Sequence, residues 1–273
     1  MGRQHGAALL LVMWMILLLS GLVAGYAMAA RIESMQGNGL ARSVAAREAA
    51  RAGMEYAVSR MLDVDPQQRW EADGRDYRFS FDGAQLDVSV RDETGKIDLN
   101  SAAPDLLAGL FRAVGEPRES AVRLAGTVVD WRDEDSLTQV SGGAEDANYA
   151  AAGLPWGAKD APFETVAELE QVLGMRPALF HSVAPYLTVH SGAATPSQAF
   201  ADGIVLQAMG LQRPQRLEAG LPASGSGTYS IESRARLADG RRAHLSVILR
   251  AGGNGLPGSS YTPLRWHDGA NLP

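Results

Sequence analysis

Cysteine is absent from the 273-residue sequence, which excludes disulfide bridges and thiol nucleophiles. Charged residues are absent from residues 7–30, and proline is absent from residues 31–62. A helical run as long as the uncharged segment would be about 36 Å, enough to cross a hydrocarbon core of about 30 Å. Because no proline interrupts residues 31–62, the two segments together predict one helix over residues 7–62, which Asp65-Pro66 ends.

The common catalytic motifs are also missing. The 5 histidines form no H-E-x-x-H pair, and no G-x-S-x-G elbow, P-loop or dinucleotide-binding glycine pattern occurs. Asp133 and Glu145 could form a carboxylate pair like that of a glycosidase, but nothing else in the chain resembles a sugar cleft. The sequence therefore predicts a protein that is not an enzyme and has no catalytic residues.

Basic residues are scarce in the middle of the chain. Residues 92–190 carry 16 acidic residues against 7 basic ones. Residues 100–110 and 165–173 resemble helix-hairpin-helix units, a motif that often contacts a nucleic-acid backbone. The local negative charge would repel phosphate, so the pattern predicts packing helices and no nucleic-acid partner.

Alternating strand patterns occur in two pairs. The first pair flanks Asp82-Gly83 and the second flanks Asp239-Gly240, which is typical of β-hairpins. The four predicted strands are residues 77–81, 85–91, 228–237 and 242–250.

Between these hairpins the pattern becomes helical. Asn100 or Ser101 could cap the first predicted helix, and Thr165 with Glu168 forms a capping box for the third. The four predicted helices are residues 100–114, 117–132, 165–173 and 177–183.

These patterns predict an α+β fold, in which a small antiparallel sheet packs on the long N-terminal helix and a mostly helical subdomain is inserted. The predicted parts are the membrane and assembly helix (7–62), the sheet domain (63–97 and 186–250), the inserted α-helical subdomain (98–185), and a flexible C-terminal tail (251–273) in which residues 261–266 could form an edge strand.

The apolar N-terminal segment allows two fates. Ala27-Met28-Ala29 resembles a signal-peptidase site, so ordinary removal of a signal peptide stays open. The segment is longer than a usual signal-peptide core and runs on into helical sequence, which favours its retention as an anchor. Arg3 fits a cytoplasmic N-terminus.

Three motifs connect the chain to a known family. Residues 3–12 read RQHGAALLLV, which resembles a type IV prepilin leader. With DETGKIDLNSA at residues 92–102 and DWRDED at residues 130–135, the chain resembles the type II secretion system minor pseudopilin of the K type (the GspK family). The resemblance implies that a prepilin peptidase removes residues 1–6, cutting between Gly6 and Ala7, and methylates Ala7. It also implies a type IV pilin-like fold.

One position departs from the general pilin pattern. Pilins usually carry glutamate at the fifth residue after the cut, where this chain has Leu11. A buried carboxylate without a partner is costly, so a subunit with no neighbour ahead of it has no use for one. The K type is the pseudopilin that lacks this glutamate, so Leu11 agrees with the resemblance. From the residue alone, Leu11 is more simply explained as one more apolar residue of a membrane span.

The acidic residues after position 129 are the best candidates for site chemistry. Oxygen ligands near a glycine-rich loop suit calcium, although the spacing is not that of an EF-hand and a solvated acidic loop is the alternative. The resemblance implies calcium in this subdomain. The candidate ligands are Asp130, Asp133, Asp135, Glu145, Asp146 and Asn148.

The resemblance also implies a function. The chain is expected to be a structural subunit at the tip of the pseudopilus that helps to initiate or cap it and to export folded proteins across the outer membrane. The expected partners are the H, I and J type minor pseudopilins, and the expected location is the inner membrane, crossed once, with the soluble domain in the periplasm. A minor pilin of a type IV pilus and a singly anchored periplasmic binding protein are the alternatives.

Overall fold

Helix α1 (His5–Met61) extends over 57 residues, as the lack of proline predicts. The computed structural model describes residues 5–211, 225–252 and 260–270, with side chains from residue 9 to residue 269 within those ranges. A helix of this length is about 86 Å long. Residues 9–38 of α1 are all exposed, so this part of the helix projects away from the other described residues.

The C-terminal third of α1 packs on a sheet. Its buried stripe consists of small residues and Met54, repeating at helical spacing. Gly53 lies at the centre of this contact, where a Cβ atom would come within 3.2 Å of Val88. The stripe is formed by Ala46, Ala49, Ala50, Met54, Ala57 and Val58.

The sheet is antiparallel and has five strands in the order β1-β2-β5-β6-β7. Both predicted hairpins are confirmed, and Asp82 and Gly83 both have positive φ, which suits a tight turn between twisted strands. Apolar residues alternate along β2, β5 and β6 and face α1. The strands are β1 (Asp73–Phe81), β2 (Ala84–Asp92), β5 (Thr228–Arg236), β6 (Arg242–Ala251) and β7 (Tyr261–Ala270).

Strand β7 corrects one prediction. Residues 251–273 were expected to form a flexible tail, but Tyr261–Ala270 is a strand that pairs with β6, with one shift of register between Ile248 and Leu249. The Arg51 guanidinium of α1 lies 5.8 Å from the Trp266 ring centroid. The edge strand considered for residues 261–266 is thus confirmed, and it is longer than expected because it covers an edge of the sheet that faces α1.

A second core belongs to the helical unit. It is built around fully buried side chains that include Leu107, Leu110, Phe111 and Tyr149. Helical structure is confirmed in all four predicted segments, the third as a 3₁₀ helix (Val166–Gln171) whose Thr165–Glu168 capping box is present. The α-helices are α2 (Pro104–Ala113), α3 (Arg118–Arg132), α4 (Asp146–Ala151), α5 (Pro177–Val183) and α6 (Gly203–Ala208), and two further 3₁₀ turns cover Glu93–Gly95 and Ala184–Tyr186.

Two short strands close the helical unit at its base. Strand β3 (Ile97–Asp98) pairs in parallel with β4 (Leu187–Thr188), and Leu99 N donates to Thr188 O at 2.8 Å. Residues 99–186 therefore begin and end side by side, which agrees with an insertion.

The structure corrects two further details of the helical unit. Helix α6 was assigned to the sheet domain, but Val205 is buried in the helical core and α6 packs on α2. Neither Asn100 nor Ser101 caps α2, because Pro104 starts that helix after Ala103. The Asn100 side chain instead accepts from Phe163 N at 2.7 Å and donates to Phe163 O at 2.9 Å. With these corrections, the predicted α+β fold is confirmed.

Candidate functional site

Three carboxylates converge where α3 ends and α4 begins. Asp130 lies in the last turn of α3, Asp133 follows that helix directly, and Glu145 precedes α4. One oxygen from each lies within 4.8 Å of the others. Asp130 and Glu145 are buried, so the cluster is shielded from water on two sides.

The electrostatics of this carboxylate cluster are unfavourable without a cation. Burial, with smaller contributions from neighbouring carboxylates, raises the pKa of Asp130 and of Asp133. Burial and, to a smaller extent, repulsion from Asp130 and Asp133 together raise the pKa of Glu145 to about 7. The fold therefore holds together three groups that oppose each other's ionisation.

Two oxygens of the cluster have no hydrogen-bond partner. Asp133 Oδ1 and Glu145 Oε1 are both buried and unpaired within the part of the chain that the structure describes. Asp130 accepts long bonds from Gln139 N, at 3.3 and 3.4 Å, and the backbone N–H of Ala144 also interacts with its carboxylate. Buried oxygens without donors, held close together, fit a hard cation such as calcium, which takes oxygen ligands only.

The other three predicted ligands make backbone hydrogen bonds near the cluster. Asp135 Oδ1 accepts from Leu137 N at 2.8 Å, and Asp146 Oδ1 accepts from Ala158 N at 3.1 Å. Asn148 Oδ1 accepts from Glu145 N at 3.0 Å and so caps α4. The structure thus separates the six candidates into three clustered carboxylates and three residues that shape the surrounding loops.

Three glycines shape the site: Gly142 and Gly143 of the glycine-rich loop, and Gly126 of α3, which the sequence analysis did not single out. A Cβ atom on Gly126 of α3 would overlap Gly142 O, and one on Gly143 would overlap the Asp130 carboxylate. The loop before Glu145 can therefore approach α3 only because these positions lack side chains. The Gly142-Gly143 pair was the available signal in the sequence.

The arginine nearest to the cluster in sequence serves another contact. Arg132 donates to Leu99 O and, at 2.7 Å, to Ala102 O, and burial lowers the pKa of its guanidinium. It offsets the repulsion at Asp133 only in part, whereas Asp160 adds to it. The carboxylate cluster thus lacks an ion pair among the described residues.

The second candidate site is the N-terminal part of α1. The backbone is helical at Gly6 and Ala7, where cleavage is predicted, and Leu11 is 66% exposed. Residues 1–4 of the predicted leader lie outside the described residues.

This helix meets the length and composition of a membrane span. Its most apolar 18-residue window has a mean hydropathy of 2.3, and none of that window is buried inside the protein. The finding is compatible with a single-pass membrane anchor.

Comparison with known proteins bears on both sites. The family model described as type II secretion system (T2SS), protein K, matches residues 86–192, which include the carboxylate cluster. Type II secretion system protein K of Pectobacterium carotovorum subsp. carotovorum is 25% identical over 214 residues, covering 68% of this chain and 62% of the relative. The protein of the same name from Aeromonas hydrophila is 28% identical over 185 residues, covering 58% of this chain and 55% of the relative. The chain thus spans less than two thirds of the length of these curated relatives.

The fold also has a solved counterpart. A chain in the crystal structure of the GspK-GspI-GspJ complex from the enterotoxigenic Escherichia coli type 2 secretion system matches with a TM-score of 0.61 and 18% identity. The match covers 89% of this chain and 99% of that chain. Together, these findings confirm the resemblance to the K family that the sequence motifs indicated.

Proposed function

Because residues 86–192 match the type II secretion protein K model, we propose that this chain is a minor pseudopilin at the tip of the type II secretion pseudopilus. The observation that carries the proposal is the exposed apolar N-terminal part of α1, called the rod below, which precedes the matched residues in the chain. Such an apolar surface is unfavourable in water. Under this proposal, lipid covers the rod before assembly, and the helices of other subunits cover it in the filament. The role is structural, in initiating or capping the filament during export of folded proteins.

The surface of the rod suits close contact with other helices. Gly21 and Gly25 are four residues apart, and nothing lies within 4 Å of a Cβ atom built on either one. Small residues at this spacing allow helices to approach closely in a membrane or a filament core. Ala24 and Ala29 extend the small-residue surface.

Leu11 supports a terminal position in the filament. In an apolar core, a glutamate at this position would need the terminal ammonium of a subunit ahead as its partner. The exposed Leu11 side chain can pack against apolar neighbours and needs no ionic partner. The helical unit adds width at the other end of the molecule, where it would prevent a further subunit from stacking.

The proposed maturation follows from the same leader. A prepilin peptidase would cut between Gly6 and Ala7 and methylate Ala7, leaving α1 in the inner membrane and the remainder in the periplasm. The proposed partners are the H, I and J type minor pseudopilins. The solved chain with this fold comes from a complex with GspI and GspJ, which supports this choice.

Calcium is the proposed structural ligand of the carboxylate cluster. Asp130, Asp133 and Glu145 would hold it. When bound, the ion would supply positive charge to the cluster and tie the end of α3 to the start of α4. Asp135, Asp146 and Asn148, predicted from the sequence as ligands, lie around the three.

Co-purification tests the proposed function. The full chain is expressed in a type II secretion strain that lacks its own K subunit, and the membranes are solubilised in mild detergent. The proposal predicts recovery of the I and J type subunits with the chain and restored secretion. If deletion of this chain from its own host removed surface pili and left secretion normal, the result would instead indicate a type IV pilus minor pilin. If neither subunit is recovered with the chain and secretion is not restored, the result would indicate a singly anchored binding protein.

A further inference from the structure

Several arginines lie at the end of the sheet that points along α1 toward the rod. We call this part the turn end; it contains both hairpin turns and consists of residues 78–87 and 234–244. Arg241 donates a hydrogen bond to Gly39 O on α1, and Arg42 of α1 pairs with Asp239 at 2.9 Å. Since the buried residues of α1 begin only at Ala46, these contacts place the turn end on the rod side of the contact between α1 and the sheet.

The turn end lies a short distance from the apolar segment of α1. The uncharged run ends at Ala30, and the nine further residues to Gly39 cover about 14 Å of helix. When Ala30 lies at the edge of the hydrocarbon core, the headgroup layer fills about 5–8 Å of that distance. The remaining gap is comparable to the Debye length of about 8 Å at physiological ionic strength, so charges at the turn end act on the headgroups.

Three exposed arginines share one face of the turn end. Arg234 and Arg236 of β5 and Arg242 of β6 alternate with Ala235 and Ala243, which are buried against α1, so the arginines lie on the opposite face. The register places Arg236 directly opposite Arg242, an arrangement of like charges that destabilises a sheet. None of the three arginines forms an ion pair within the described part of the chain. The face therefore has positive charge that the described residues leave unmatched.

Two of the carboxylates at the turn end are already engaged. Asp87 Oδ1 accepts from Arg78 Nε at 2.6 Å, and Asp239, besides its contact with α1, lies 3.4 Å from Arg241 Nε. Together with residues 31–48 of α1, the turn end carries eight basic and five acidic residues, a net charge of +3, whereas the whole chain has −6. The excess of positive charge next to the rod is therefore opposite in sign to that of the chain.

The position of this charge selects the occupant. Under the proposed function, the rod lies in lipid before assembly, so a membrane surface is always beside the turn end. Basic residues next to a membrane span attract anionic lipids. Guanidinium groups also match phosphate in geometry, because they can donate paired hydrogen bonds to it.

We propose that the turn end binds the anionic headgroups of the membrane that α1 enters, with Arg236 and Arg242 contacting lipid phosphates and Arg234 adding to the attraction. This inference rests on the proposed function, which anchors α1 in the membrane. The contact holds the soluble part close to the bilayer in the unassembled subunit. It is lost when the subunit leaves the lipid for the filament.

The test measures how close the turn end lies to the lipid surface. The full chain is reconstituted in nanodiscs of phosphatidylcholine alone or mixed with phosphatidylglycerol. Because the chain lacks cysteine, Ala238→Cys in the exposed β5–β6 turn gives a single site for an NBD fluorophore. A small fraction of lipid with a spin-labelled headgroup quenches this fluorophore only at short range.

We expect stronger quenching with phosphatidylglycerol than without it, and we expect high salt to remove this gain. Arg236→Gln combined with Arg242→Gln should also remove it, because each arginine at an anionic surface shifts the equilibrium about fivefold. The matched control combines Arg118→Gln with Arg250→Gln, two exposed arginines outside the turn end, and should keep the gain. Thermal melts establish that each variant is folded. The Arg236 and Arg242 variant should melt no lower than the wild type, since a like-charge pair is gone.

Three outcomes would overturn the lipid contact. Equal quenching in the two lipid compositions would show that anionic headgroups do not attract the turn end. Equal loss of the gain in both double variants would indicate attraction by overall charge. If Arg236→Gln with Arg242→Gln lowered recovery of the I and J type subunits and left quenching unchanged, the arginines would bind a protein partner instead of lipid.

The result is separable from the test of the proposed function. If the lipid composition has no effect while the I and J type subunits still co-purify, the lipid contact fails and the proposed function stands. If those subunits are not recovered while quenching depends on phosphatidylglycerol and on the two arginines, the filament role fails and the membrane contact of an anchored protein stands.

Discussion

At the scale of residues, the carboxylate cluster concentrates more negative charge than its surroundings offset. Asp130, Asp133 and Glu145 each have a raised pKa, and two of their oxygens are buried without a partner among the described residues. An unpaired buried polar group costs about 1–3 kcal/mol, and more when charged. A bound cation would remove both the repulsion and the unpaired oxygens.

Neutral substitutions in the cluster should abolish the response to calcium. In Asp133→Asn combined with Glu145→Gln, the Tm is predicted to lose its rise on adding calcium, because two ligands have lost their charge. Without calcium, the same variant should melt no lower than the wild type, since the repulsion is gone. Differential scanning calorimetry with calcium or with a chelator measures both effects. Glu119→Gln, an exposed change of the same charge in α3, should keep the full calcium response. A double variant that still responds to the chelator would contradict the assignment.

The cluster also predicts a pH dependence of stability in the absence of calcium. The pKa of Glu145 rises from 4.5 to about 7 on folding, so the folded state binds more protons than the unfolded state between these values. Stability should therefore fall as the pH rises through this window, and this loss is complete above the folded-state pKa. His190, whose pKa is lowered, acts in the opposite direction, so the comparison is with Glu145→Gln. In chelator, the Tm of the wild type relative to that variant should be higher at a pH of about 5.5 than at about 8. An identical pH profile for the two proteins would count against the raised pKa.

The sequence identified all three clustered carboxylates but did not separate them from their neighbours. Asp146 Oδ1 accepts a hydrogen bond from Ala158 N, twelve positions further along the chain. That contact depends on how the loop between them folds back. Asn148 is a helix-capping residue, but α4 has only 6 residues, too few to give a periodic pattern. Residue type therefore predicted the chemistry, whereas the hydrogen-bond partners depended on tertiary structure.

At the scale of elements, close backbone approach controls the geometry of the site. Helix α3 and the loop before Glu145 meet at Gly126 and Gly142. Because the opposing atom is a backbone oxygen, an added methyl group cannot be relieved by rotating a side chain. The position of the loop is thus set by the absence of a Cβ atom.

Gly126→Ala should displace this loop and weaken calcium binding. Although alanine favours a helix by about 1 kcal/mol over glycine, overpacking typically costs about 1–3 kcal/mol, so a net loss of stability is expected. The calcium-dependent rise in Tm should shrink as well. Gly37→Ala is the control, because nothing lies within 4 Å of a Cβ atom there and only the helix-propensity gain applies. Equal effects of the two substitutions on the calcium response would refute this account of the loop.

The elements that sequence patterns predicted were those with local signals. The hairpins had their turn residues, α5 matched its predicted bounds, and the absence of proline predicted α1. Strands β3 and β4 have 2 residues each and pair across the whole helical unit, so no local pattern could predict them. Helix α6 has 6 residues, and its place in the helical core follows from contacts with α2.

At the scale of the whole molecule, the two ends of α1 differ in their surroundings: one packs on the sheet and the other is exposed. In its C-terminal part, the buried residues between Ala46 and Val58 pack on the sheet. Arg241 of the β5–β6 turn also donates a hydrogen bond to Gly39 O on α1. Its N-terminal part offers apolar surface with no partner among the described residues. The soluble part of the molecule thus follows an exposed apolar helix, which under the proposed function packs against the helices of other subunits.

Bulky side chains on the small-residue surface of the rod should impair assembly without unfolding the head. Gly21→Leu combined with Gly25→Leu is predicted to reduce co-purification of the I and J type subunits, because closely packed helices cannot accommodate the added side chains. Leu18→Ile, which preserves apolar character and volume in the same segment, should leave recovery unchanged. Both proteins should show the wild-type melt of the soluble part. Undiminished recovery with the two leucines would exclude Gly21 and Gly25 from the contact.

Mass spectrometry of the mature N-terminus tests the central claim most directly. The chain is expressed together with a prepilin peptidase, and the intact protein is analysed from the membrane fraction. A minor pseudopilin should begin at Ala7 with one added methyl group and should retain the whole apolar rod. A polypeptide that begins at Ala30 and is recovered from the soluble periplasm would contradict the account, because a chain without its rod could neither anchor nor pack in a filament.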